Sequence, residues 1–190
     1  MEDCQHAPHT PNPDTALFGG RLYSPVANSI YTDDDLVFDG GLLGTWAADS
    51  ETWTFEQVGD TAYKLTIRES DTKRPVVLSA HLVQIKAHRL LDLSLGENSE
   101  LPELEEMESF HLLPAHSFWY VKREGDSLSL RTFSQDWLEE RMKKGRLWVD
   151  HVEVDDRLVF TAKTERVQRF LAKWGSHDRA LGEWETITRK

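Results

Sequence analysis

The chain has one cysteine among 190 residues, Cys4, so no disulfide can form within it and the fold must rest on its core. It has no apolar run near the roughly 20 residues that cross a bilayer, so no transmembrane segment is expected. It has no basic excess: 22 Lys and Arg stand against 33 Asp and Glu, a net charge of -11. A nucleic-acid binder carries the opposite balance, and an anionic membrane surface repels this one, so neither is an expected partner. No phosphate-cradling loop is present, because Gly19-Gly20 and Gly40-Gly41 lack the following lysine and hydroxyl. No Gly-x-Ser-x-Gly elbow marks a serine hydrolase. No His-x-His, His-x-x-x-His or paired-cysteine spacing favours a metal site, His6 and His9 read as an incidental pair in the tail, and no cofactor or metal is expected.

What is present suits a globular β protein. Hydrophobic residues make up 39% and charged residues 29% of the chain. Residues 1–29 hold four prolines and are expected to form an extended, poorly packed arm. From Ile30 onward, short segments alternate apolar and polar residues, as half-buried antiparallel strands do. They are 42–46, 51–58, 62–69, 75–85, 89–95 and 110–123, then a strand carrying Leu128, Leu130 and Thr132. Gly59-Asp60 and Gly125-Asp126 supply tight turns between them. Residues 97–108 hold six glutamates and no basic residue, and read as a solvated loop. Ser134 and Gly145 bracket a short helix over 135–144. Residues 146–154 are strand-like but ambiguous, and 157–162 form the last strand of the main series. A helix over 164–174 carries Val167, Phe170, Leu171 and Trp174 on one apolar stripe. Residues 185–188 can add a terminal strand.

About eight antiparallel strands at hairpin spacing are most simply closed into an up-and-down barrel, since closure removes the open edges. The expected fold is a mainly β, eight-stranded barrel over 30–190 with an amphipathic helix outside. A two-sheet sandwich is the alternative.

At Gly44-Thr45-Trp46 the chain resembles the lipocalins and the wider calycin group. These open their barrel with a Gly-x-Trp strand and pack a helix outside it late in the chain. The resemblance implies that Gly44 bends the chain, that Trp46 plugs the narrow end, and that Arg189 is the late arginine stacking on Trp46. The segments 35–39, 43–46 and 51–56 also resemble uncharacterised bacterial lipocalin-like proteins. The start Met1-Glu2-Asp3-Cys4 lacks the basic and apolar regions of a signal peptide, which reads as cytoplasmic. The same cysteine, before a polar Pro- and His-containing stretch, also resembles an exported lipoprotein that has lost its leader. The residues leave both open.

An eight-stranded barrel is just wide enough to be packed solid or to hold one small ligand. Its expected inward residues are Trp53, Phe55, Tyr63, Leu65, Ile67, Leu78, Leu82, Leu91, Phe118, Tyr120, Leu130 and Phe160. The function read from these is binding of a small apolar or amphipathic molecule. The expected site comprises His116, Tyr120, Phe118, Tyr63, Trp53 and Phe55, with Pro114 placing His116 just inside a barrel mouth. One alternative is a hydrolase or isomerase using His116 as general base in the same cavity. The other is a solid barrel acting as an interaction module. His81 and His111 could join His116 only if neighbouring strands bring them together.

Overall fold

The computed structural model describes residues 25–48, 50–70, 74–96, 115–154 and 157–190. Cys4, His6, His9, His111, Pro114 and the acidic stretch 97–108 lie outside them.

A short strand β1 (Leu36–Val37) and a 3-10 turn (Gly40–Leu42) lead into β2 (Gly44–Ala47). Then follow β3 (Glu51–Val58), β4 (Ala62–Glu69), β5 (Val76–Ile85), β6 (His88–Leu95), β7 (His116–Glu124) and β8 (Ser127–Arg131). Helix α1 (Gln135–Lys143) precedes the hairpin β9 (His151–Val154) and β10 (Arg157–Phe160). Helix α2 (Thr164–Trp174) and β11 (Glu185–Arg189) complete the order. None of the helices among the described residues is long and apolar enough to cross a membrane.

The strands close into an eight-stranded antiparallel barrel, in the order β2-β3-β4-β5-β6-β7-β8-β11 and back to β2. Membership differs from the expected series at one strand. β10 pairs with β9 as a hairpin outside the barrel, with a bridge from Phe160 to Val26, and β11 is the eighth stave. A four-residue alternating segment has the same pattern in either place, so only the pairing distinguishes them. β1 lies outside the barrel, pairing Leu36 with Val83 and Val37 with Leu82 where β5 outruns β4.

Gly44 has φ +108, a region that side chains rarely adopt, and a Cβ there would come within 2.9 Å of the Arg189 guanidinium. Trp46 is fully buried and donates its indole N–H to Leu42 O at 2.8 Å. The Arg189 guanidinium lies 4.4 Å over its ring and donates to Leu43 O (2.8 Å) and Gly41 O (2.6 Å). This stack seals part of the barrel end and ties β11 to the turn before β2.

Two cores lie on opposite sides of the barrel wall. The inner one holds Trp46, Trp53, Phe55, Tyr63, Leu65, Ile67, Leu82, Leu91, Leu93, Trp119, Leu128, Leu130 and Ile187 among others. The outer one packs Val83, Ile85, Leu90, Phe118 and Tyr120 under Phe133, Leu138, Phe160, Val167, Phe170 and Leu171. The expected stripe on α2 is thus its buried face, each large side chain contributing about 1.5–3 kcal/mol. Residues 25–30 run between wall and helix layer. Val26 exchanges backbone hydrogen bonds with His116 at 2.8 Å, and Val26 and Ile30 are buried.

Phe118, Tyr120 and Phe160 were expected to face inward, and the structure corrects this. All three belong to the outer core. On β7 it is Trp119 that packs inside, with Val121 beside it. The cause is that both faces of β7 are covered, so both parities are apolar and alternation carries no direction.

Candidate functional site

The six residues singled out from the sequence fall into two groups of three, one on each side of the wall. Inside, Trp53, Phe55 and Tyr63 form a continuous aromatic row, with ring centroids 6.3 and 6.1 Å apart. Tyr63 ends the row at the segment that caps the barrel. Its hydroxyl accepts from Asp39 N at 2.7 Å and donates to Asp39 O at 3.2 Å. Burial pushes this phenol above its ordinary range. Trp53 donates to a buried Glu51 carboxylate at 2.9 Å. Trp46, Trp53, Leu65, Leu91 and Leu130 are fully buried, so this part of the interior is packed.

Outside, His116, Phe118 and Tyr120 share the face of β7 beneath the helix layer. Phe118 stacks on Phe160 at 6.4 Å. The Tyr120 hydroxyl donates to Leu171 O at 2.9 Å, and burial drives its pKa upward. His116 does not stand at an inward-facing mouth. Its Nδ1 is 2.6 Å from Oδ1 of Asp92, a fully buried carboxylate on β6. The other Asp92 oxygen accepts Ile30 N–H at 3.0 Å. His81, the register partner of Asp92 on β5, shares a hydrogen bond between its Nδ1 and the Tyr31 hydroxyl, 3.2 Å away. Burial holds His81 below the usual histidine range, and His116 adds to this while Asp92 opposes it. The neighbouring strands therefore do bring His81 near His116, around one aspartate. Among the described residues no group of three His, Cys, Asp or Glu could hold a metal ion. The cluster pins residues 25–31 to the wall, because both oxygens of a buried carboxylate are satisfied by it.

A different constellation lies at the barrel end beside the Gly40–Leu42 turn. There the strands leave a half-open cleft of about 300 Å³. Its apolar floor is the half-buried Val121, with the buried Leu42, Leu82 and Leu128 directly beneath. Gln84, Arg89, Arg123 and Asp39 stand around it. Arg89 shares the inward parity of Leu91 and Leu93, and Arg123 that of Trp119 and Val121. The two guanidinium groups share one carboxylate oxygen, Asp39 Oδ2, at 3.6 Å from Arg89 and 3.4 Å from Arg123. Neither arginine was singled out from the sequence. The available signal was a charged residue on the inward parity at a strand end, which a buried strand interior would not tolerate. A second cleft of about 310 Å³ opens on the helix layer, between Leu138 and Met142 of α1 and Leu158 of β10.

Comparison of the chain with models of protein families, with curated proteins and with solved structures gives no match.

Proposed function

We propose that this protein binds a small amphipathic molecule at the barrel end, with the ligand's apolar side on Leu82, Val121 and Leu128. One observation carries the reading: a 300 Å³ cleft with an apolar floor and convergent polar groups lies on the barrel axis side of the strands, where the aromatic interior stops. The closed barrel is compatible with a lipocalin-like fold, and the Arg189–Trp46 stack is what that likeness implies. The reading departs from a deep central cavity because Trp53, Phe55 and Tyr63 are already packed against one another. These three line no part of the cleft and belong to the packed interior. His116 and Tyr120 are assigned to holding the outer layer. The Asp92 carboxylate on His116 would suit a general base, but neither cleft described above is lined by His116, so no catalysis is assigned to it.

The test is a titration of the full chain with N-phenyl-1-naphthylamine, a neutral apolar probe whose fluorescence rises on leaving water. Val121→Trp, which fills the cleft, is expected to weaken binding at least about tenfold, the effect of losing most of the apolar contact. Thermal melting checks that the variant is folded. Binding indifferent to Val121→Trp would move the site elsewhere.

A further inference from the structure

We infer that the ligand of this cleft is a small carboxylate, short-chain or aromatic, and that Asp39 is a built-in competitor holding the arginines until the ligand displaces it. The inference deepens the proposed function and rests on the cleft being the ligand site.

Charge is the first argument. The chain carries a net charge of -11, yet Arg89 and Arg123 point into one cleft and share a single acid. Two guanidinium groups at the edge of an apolar floor suit an anion attached to an apolar body. They also give a locally positive spot on an acidic protein, which draws anions toward it.

The looseness of the present pairing is the second argument. Asp39 Oδ2 sits 3.4 Å from Arg123 Nε and 3.6 Å from Arg89 Nη1, longer than a charge-assisted hydrogen bond at its optimum. The other oxygen of Asp39 is anchored, accepting Gly41 N–H at 2.8 Å as the cap of the 3-10 turn. A ligand carboxylate can therefore take the arginines while Asp39 keeps its cap. Ion pairs this long and with their arginines partly exposed are worth little, so exchange is cheap.

Pre-organisation is the third. A Cβ at Gly41 would come within 2.5 Å of the Arg123 guanidinium, so the arginine head is seated on the glycine. Nη1 of Arg123 also reaches Gly125 O at 3.3 Å. The head is held over the cleft before any ligand arrives.

Size is the fourth. The packed interior bounds the cleft at about 300 Å³, the small end of ligand pockets. A short or single-ring acid fits, and a longer acyl chain would leave by the open side into water without gaining apolar contact.

Isothermal titration of the full chain with octanoate, octanol and palmitate tests this. Octanoate should bind more tightly than octanol, and palmitate no better than octanoate. Asp39→Asn keeps the cap oxygen and removes the competing charge, so octanoate should bind about fivefold tighter, the scale of one exposed ion pair. Arg123→Gln should weaken octanoate at least about tenfold and leave octanol unchanged. Arg123→Lys keeps the charge but loses the fork, and should fall between wild type and Arg123→Gln, which separates a lost contact from a lost fold. Equal binding of octanoate and octanol, both blocked by Val121→Trp, would overturn the carboxylate assignment and leave the cleft reading standing. Weaker octanoate binding by Asp39→Asn would overturn the competitor role. No binding of any probe would overturn both.

Discussion

Single side chains decide how this protein responds to pH. His81 lies on the outer wall with its Nδ1 facing the Tyr31 hydroxyl, and burial holds its pKa below the ordinary histidine range. His88 is shifted the same way for the same reason. The sign follows from linkage: a group with a depressed folded pKa adds stability that is fully present above its unfolded value. That stability is lost as pH falls, because the unfolded chain takes up a proton that the folded one resists. Urea midpoints should therefore fall from about pH 7 to about pH 5, across the ordinary histidine range. His81→Gln keeps an acceptor for Tyr31 and cannot titrate, so it should flatten part of that fall. An unchanged slope would remove His81 as its source. Charged residues were also where the sequence was read least well. Arg89 and Arg123 look like solvent-facing residues until their strand parity is counted against Leu91 and Trp119, which point the same way.

Elements were legible to the extent that one face of each was wet. β3 and β4 alternate cleanly, and their inward residues Trp53, Phe55, Tyr63, Leu65 and Ile67 are the buried ones. Helix α2 has a single apolar stripe, and its bounds match the expected 164–174. Its N-cap is Lys163, and the hydroxyl of the next residue, Thr164, donates to Ser29 O. β6 and β7 could not be read this way, because one face of each lies in the barrel and the other under the helices. Leu90 through Leu93 are all buried, so periodicity vanishes where coverage is double. The contact that makes this second core is α2 on the barrel wall. Phe170 is fully buried there, with Phe133 and Phe160 at 5.2 and 5.5 Å. Phe170→Ala should cost about 3–5 kcal/mol in chemical denaturation, the range for emptying an aromatic site in a core. A cost below about 1 kcal/mol would mean that the helix layer is not docked as described.

At the scale of the whole molecule, alternation predicted a barrel, but pairing alone named its members. β11 joins β2 through Thr188 and Arg189 and joins β8 through Glu185 to Thr188. It is only five residues long, yet two ladders depend on it. Removing residues 183–190 should leave β2 and β8 as open edges and take Arg189 off Trp46. Size-exclusion chromatography is expected to show higher oligomers or aggregate, with the near-ultraviolet dichroism of the buried tryptophans lost. A monomer with native dichroism would show that seven staves suffice.

The tie between Arg189 and Leu43 spans 146 positions of the chain. During synthesis, a ribosome makes the Gly44 stave early and the stave that bolts onto it only after both helices have emerged. For that interval the nascent sheet is a curled ribbon with two sticky margins, and local hairpins can form long before the ring can shut. Newly made chains would therefore depend on whatever shields such margins, in a way that finished molecules would not.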